Sequence, residues 1–161
     1  MPKSPIDQFI DAYSKELSEE NAAIFAGAGL SMPAGYVNWR NLLKPLVDEL
    51  GLDVELEDNL VALAQYHCNE NSGNRSQLTQ ILLDQFSADG GLTKNHEILA
   101  RLPVSTYWTT NYDTLIEDAL TAAGKKPDVK YTIPHLAHTQ PKRDAVVYKM
   151  HGDIAHPNNV I

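Results

Sequence analysis

Apolar residues recur every three or four positions from Ile6 to Leu17, at Phe9, Ile10, Tyr13 and Leu17, and this spacing predicts an amphipathic helix. Ser4 and Pro5 suit its cap and first turn. The run "AAIF", Ala22 to Phe25, is short, apolar and closed by glycine, which predicts a buried strand entering a tight loop. Helical spacing returns from Trp39 to Leu50 and stops at Gly51. Two more helical patterns cover Asp58 to Cys68 and Gln77 to Phe86, with the polar turn "NENSGNRS" between them, and another runs from Asn95 to Arg101. The pattern then changes. "PVSTYWTTN" is rich in β-branched and aromatic residues and predicts a second strand whose polar end is Thr109 to Asn111. "DTLIEDALTAAG" predicts a helix with Asp113 near its start and Gly124 as its stop, and "DAVVYKMHG" predicts a strand ending in His151 and Gly152. A weaker strand candidate lies around Val129 to Thr132.

Strands alternating with helices predict an α/β fold: a Rossmann-like parallel sheet with helices on both faces and a helical insertion between its first two strands. One domain over residues 1–161 is expected, without internal repeat or linker. The end at Ile161, in "HPNNVI", comes a few residues past a strand, so the expectation is the N-terminal part of a longer polypeptide.

Composition narrows the function. The 43% hydrophobic content is ordinary for a folded domain, and 13 basic against 21 acidic residues give a net charge of −8, which argues against broad attraction to nucleic acid or anionic lipid. No aromatic ladder interleaved with basic residues supports single-strand binding, and Trp39, Tyr107 and Trp108 read as core or pocket walls. Cys68, the one cysteine, can form neither an internal disulfide nor a four-cysteine zinc module; no metal ligand set is expected. Neither a signal-peptide pattern nor a membrane-spanning apolar run is found, so a cytoplasmic protein is expected.

Three strings carry candidate chemistry. In "FAGAGLSMPAGYVNWR", glycines after a strand let the backbone approach a ligand, and the N–H groups of a following helix start can hold phosphate. A ligand-free tight turn is an equal reading, because Met32 stands where the dinucleotide pattern has its third glycine. In "TTNYD", Asn111 and Asp113 fall at the carboxyl end of a strand, where parallel sheets bind ligands; Asp113 as a helix cap and Asn111 as a turn filler form the competing reading. "KMHGD" repeats the arrangement, with His151 either structural or suited to proton transfer.

Together the strings resemble the sirtuin family, the silent information regulator-like NAD-dependent enzymes. Gly27, Ala28, Gly29, Ser31, Gly35 and Arg40 match the family's first motif without a gap, with Leu30 for isoleucine and Trp39 for phenylalanine. Thr109, Asn111 and Asp113 match the second, with Thr110 for glutamine, and His151 with Gly152 the third; His96 also sits where the family often has a histidine. The family's protein deacylases usually carry a four-cysteine zinc module after the third-motif histidine, here His151, and this sequence has only Cys68, upstream of it. The chain looks more like the bacterial sirtuin-like domains of anti-phage defence proteins, which consume NAD by hydrolysis. That resemblance implies a homo-oligomer, no zinc, and a partner such as a DNA-translocating ATPase or an Argonaute-like protein.

The resemblance also implies roles. Gly27, Ala28, Gly29, Leu30 and Ser31 would hold the diphosphate, Arg40 the phosphate and ribose region, and Thr109 would join the binding set. Asn111 would orient the water or ribose hydroxyls, Asp113 would bind the ribose or nicotinamide end, and His151 would be the general base, with the last two roles open to exchange. Glycohydrolase, acceptor-dependent deacylase or ADP-ribosyltransferase, and non-catalytic nucleotide sensor are the three functions compatible with this set.

Overall fold

The computed structural model describes residues 3–86 and 90–157. The end at Ile161, on which the expectation of a longer polypeptide rests, lies outside them. Among the described residues the elements follow the predicted alternation, with the short helices α2 and α8 in addition: α1 Pro5–Ser18, β1 Ile24–Ala26, α2 Ala28–Ser31, α3 Trp39–Glu49, α4 Leu60–Glu70, α5 Ser76–Phe86, α6 Lys94–Arg101, β2 Thr106–Thr109, α7 Leu115–Ala122, β3 Pro127–Lys130, α8 Ile133–Leu136 and β4 Ala145–Lys149. Ser4 opens α1 through a capping box with Asp7, a pairing worth about 1 kcal/mol at a helix start. The weak strand candidate is real but spans Pro127–Lys130; it stops short of Thr132, which caps α8, a helix whose single turn is too short to leave a periodic signal.

All four strands are parallel in the order β1-β2-β4-β3. Ile24, Tyr107 and Val147 share a row on one face, and these residues form a core with Ala100 of α6 and Ile116, Ala119 and Leu120 of α7. Tyr13 and Leu17 of α1 lean on the same cluster. The opposite face carries α8 along β3, where Asp128 and Lys130 form a buried ion pair at 2.9 Å. Elsewhere that face is partly exposed among the described residues. Phe25, Trp108 and Tyr148 lie side by side across three strands, Phe25 at 67% and Trp108 at 38% exposure, with Trp108 stacked on Tyr148 at 4.2 Å. Trp108 is therefore a surface wall and Tyr107 a core residue, as the alternation of a strand requires.

Helices α3, α4 and α5 form a second core of their own around Leu43, Leu46, Leu82 and Cys68. Tyr112 from the second motif also belongs to it. The helical insertion is thus pinned to the carboxyl edge of the sheet by a residue of the candidate site. Among the described residues no helix is long and apolar enough to cross a membrane.

Candidate functional site

Parallel register brings the three motifs to one edge. Ala26 aligns with Thr109, and Thr109 with Lys149, so Gly27, Thr110 and Met150 leave the sheet side by side, the second motif in the middle. The backbone extends this alignment by one step: Thr110 donates its N–H to Ala26 O at 3.2 Å and Met150 to Thr109 O at 2.9 Å. The carboxyl edge of a parallel sheet is where open α/β folds bind ligands.

Asn111 is the hub. Its Nδ2 donates to Gly27 O at 3.0 Å and to Ser31 Oγ at 2.8 Å, tying the second motif to the first, while its backbone N–H is held by Thr109 Oγ1 at 3.0 Å. With both amide hydrogens spent, Oδ1 is the end able to accept from a water or hydroxyl. Thr109 is buried and its side chain serves the turn that places Asn111. Asp113 acts on the helix start that the sequence offered: Oδ1 accepts from Leu115 N at 3.1 Å and steadies the start of α7, whereas Oδ2 is buried and has no hydrogen-bond partner among the described residues.

Ser31, Asn111, Asp113, Trp39, Tyr36 and Phe86 are among the residues around a hollow of about 30 Å³, room for roughly one water. Tyr36 and Phe86 lie 5.1 Å apart by ring centroids, and Tyr112 contacts Trp39 and Phe86 edge-on at 5.6 and 5.9 Å. Burial raises the Tyr112 phenol above its ordinary value, so it stays protonated.

His151 does not line this hollow. It stands half-buried at the end of β4, 6.5 Å from Tyr112 by ring centroids, with Nδ1 lacking a hydrogen-bond partner among the described residues. Burial pushes its imidazole below the ordinary histidine value, which leaves it neutral at pH 7. Gly152 follows with φ +98°, a conformation that favours glycine and lets the chain fold back after the strand.

The first motif differs in detail from the sequence reading. Gly27 is extended, with φ −121° and ψ −172°, and Gly29 lies inside α2; neither needs positive φ. A Cβ added at Gly29 would meet nothing within 4 Å. Leu30 gives its N–H to Gly27 O at 2.9 Å, which leaves Ala28 and Gly29 as the backbone groups opening α2. Arg40 points elsewhere: its guanidinium donates to the carbonyls of Val54 and Glu57, the latter at 3.2 Å, and bolts α3 to the turn before α4. His96 is also structural in its contacts, with Nδ1 closing the cap of α6 against Thr93 at 2.8 Å, while burial lowers its imidazole below the usual value. Among the described residues no cluster of three or more His, Cys, Asp or Glu is poised to hold a metal.

Sequence reading missed the aromatic walls from Tyr36 and Phe86, and it missed Lys149. The only signal for Lys149 was its place beside His151 in "KMHGD".

Residues 105–161 match the family model described as a SIR2-like domain. The chain is 61% identical over 162 residues to the NAD(+) hydrolase ThsA of Bacillus cereus (strain MSX-D12), covering 100% of this chain and 34% of that protein. It is 59% identical over 152 residues to the NAD(+) hydrolase ThsA of Acinetobacter baumannii (strain 532279), covering 94% of this chain and 31% of that protein. With the ThsA of Enterococcus faecium the identity is 54% over 145 residues, 90% of this chain and 30% of that protein. The chain thus spans roughly a third of the length of these curated relatives. Three ordered motifs, the parallel sheet that gathers them at one edge, and relatives similar along nearly the whole chain all agree with the SIR2-like, sirtuin-related match over residues 105–161.

Proposed function

We propose that this chain forms the NAD-binding and catalytic part of an NAD glycohydrolase, which splits NAD into nicotinamide and ADP-ribose. The observation that carries the reading is Asn111, which lines the hollow and hydrogen-bonds to both Gly27 and Ser31, joining the first two motifs at the sheet edge. The names of the relatives, NAD(+) hydrolases, point to the same substrate.

Cleavage breaks the bond between the ribose carbon and the nicotinamide nitrogen. Its electron pair leaves with nicotinamide, which departs neutral, and positive character grows on the sugar. Asn111 Oδ1 positions the water or a ribose hydroxyl; the buried Asp113 Oδ2 meets a ribose hydroxyl and adds negative charge beside the developing cation. His151, neutral and half-buried, takes the proton lost as the water oxygen bonds to the sugar carbon. Ala28, Gly29 and the Ser31 hydroxyl hold the diphosphate. Arg40 is a binding group only if it leaves the carbonyls of Val54 and Glu57, so its resting role is to hold the insertion in place.

NAD depletion by such an enzyme suits an anti-phage defence system, with the protein a cytoplasmic homo-oligomer that acts beside a partner, for example an ATPase or an Argonaute-like protein. The net charge of −8 supports the absence of direct nucleic-acid binding by this segment. An acceptor-dependent transferase or a nucleotide sensor would use the same pocket, and the products separate them.

Incubation of the full-length protein with NAD alone is expected to release nicotinamide and free ADP-ribose in equal amounts. Because burial depresses the His151 imidazole, the base remains neutral below the ordinary value of about 6.5, and the rate should decline only at lower pH. A requirement for an added acceptor would identify a transferase; intact NAD after binding would identify a sensor.

Gly29 gives a second check. Its conformation is helical and the space for a methyl group is open, so Gly29→Ala should leave the melting temperature unchanged or raise it slightly, a helical Gly-to-Ala change being worth up to about 1 kcal/mol. If the open space is where the diphosphate lies, NAD affinity measured by calorimetry falls by about tenfold or more. Unchanged affinity would remove Gly29 from the binding set.

A further inference from the structure

Lys149 sits on the covered face of β4 in register with Thr109, and its side chain is fully enclosed. A lysine at such a place is unusual, since an ammonium leaves water only for several good partners. Here it has four. Its Nζ donates to Tyr112 O at 2.9 Å and Asp113 O at 2.7 Å, and it pairs with Asp153 Oδ2 at 2.7 Å and Glu117 Oε1 at 3.2 Å. The partners come from the second motif, from α7 and from the third motif. A further link runs from Ile154 N to Tyr112 O at 3.1 Å, and Asp153 Oδ1 accepts from Ala155 N at 2.8 Å.

Two carbonyls pointing at one ammonium settle the orientation of two successive peptide units. Asn111 directly precedes them, and its side chain must reach Gly27 and Ser31 on the neighbouring strand's loop. On the other side, the backbone leaves Lys149 directly into Met150 and His151.

We propose that Lys149 is a positioning residue: its ammonium clasps the Tyr112 and Asp113 carbonyls and thereby fixes Asn111 and Asp113 relative to His151. A simple charge-neutralising role is the alternative, in which Lys149 only compensates Glu117 and Asp153. The kinetic part of the test below rests on the hydrolase reading; the exchange part does not.

Lys149→Met alone strands two buried carboxylates and is prone to unfold. The decisive variant is Lys149→Met combined with Glu117→Gln and Asp153→Asn in the full-length protein, which removes the cation and both anions together. Glu117 tolerates the neutral replacement because burial already raises its carboxyl above the usual range. Amide hydrogen exchange across residues 110–115 is compared with wild type, beside the melting temperature and nicotinamide release. The clasp predicts a folded protein in which exchange across 110–115 rises about tenfold or more while β2 and β4 stay protected. It also predicts kcat reduced about tenfold or more, with KM changed much less. Wild-type exchange across 110–115 in the folded triple variant overturns the clasp and leaves charge neutralisation. Should the triple variant not fold, Glu117→Gln alone decides, since it spares both carbonyl bonds: protection of 110–115 within about twofold of wild type supports the clasp, and a tenfold loss overturns it. If wild type releases no nicotinamide, the hydrolase reading fails while the exchange result still judges the clasp.

Discussion

Asn111→Ala is expected to lower nicotinamide release by about 100-fold or more, the usual cost of losing a group that positions the reacting atoms in a preorganised site. The substitution removes the link between motifs as well as the Oδ1 acceptor. Two hydrogen bonds, to Gly27 O and Ser31 Oγ, disappear, at about 0.5–1.5 kcal/mol each, so some loss of stability is also expected. The rate must therefore be compared per folded molecule, below the melting transition of the variant. Asn111→Asp sharpens the test. It keeps the size of the side chain but turns the donating end into an acceptor facing the Gly27 carbonyl, so it should fail as completely as alanine. Release at the wild-type rate from either folded variant would remove Asn111 from the chemistry and, with it, the observation on which the hydrolase assignment rests.

How far the sequence reached is best judged on individual residues. The places of Asn111, Asp113 and His151 just past strand ends were legible because each residue follows a β-branched or aromatic run. Helix positions followed from apolar spacing, and α3, α4 and α5 emerge close to where the periodicity puts them. Strand order was not readable. β4 lies between β2 and β3, and only that order sets Lys149 beside Thr109. Arg40 shows a second limit. Its type and motif position suggest a phosphate ligand, yet the guanidinium finds carbonyls on a turn 14 and 17 residues away, partners that tertiary packing supplies and local pattern does not encode. Gly29 shows a third. The motif is present, but neither its conformation nor crowding requires glycine there, since an added Cβ would meet nothing within 4 Å.

Tyr112→Ala should produce the largest loss of stability at the site, about 3–5 kcal/mol, as expected when a buried aromatic residue is truncated and its surroundings collapse only in part. Tyr112 is 2% exposed and belongs to the core of α3, α4 and α5, although its backbone belongs to the second motif. Its ring packs edge-on against Trp39 and Phe86, contacts that add to simple burial. Truncation therefore cuts the packing that holds the insertion against the sheet edge, and the hollow beside Asn111 loses a wall. Leu43→Ala provides the control. Leu43 is fully buried in the same core, does not border the hollow, and should cost about 2–5 kcal/mol. Both variants are expected to melt early in denaturant titrations. Only Tyr112→Ala should also lose NAD turnover per folded molecule, because only Tyr112 joins the stability of the insertion to the shape of the site. If the two variants keep equal activity when folded, the insertion is a stabilising appendage, and the aromatic walls have no part in holding the substrate.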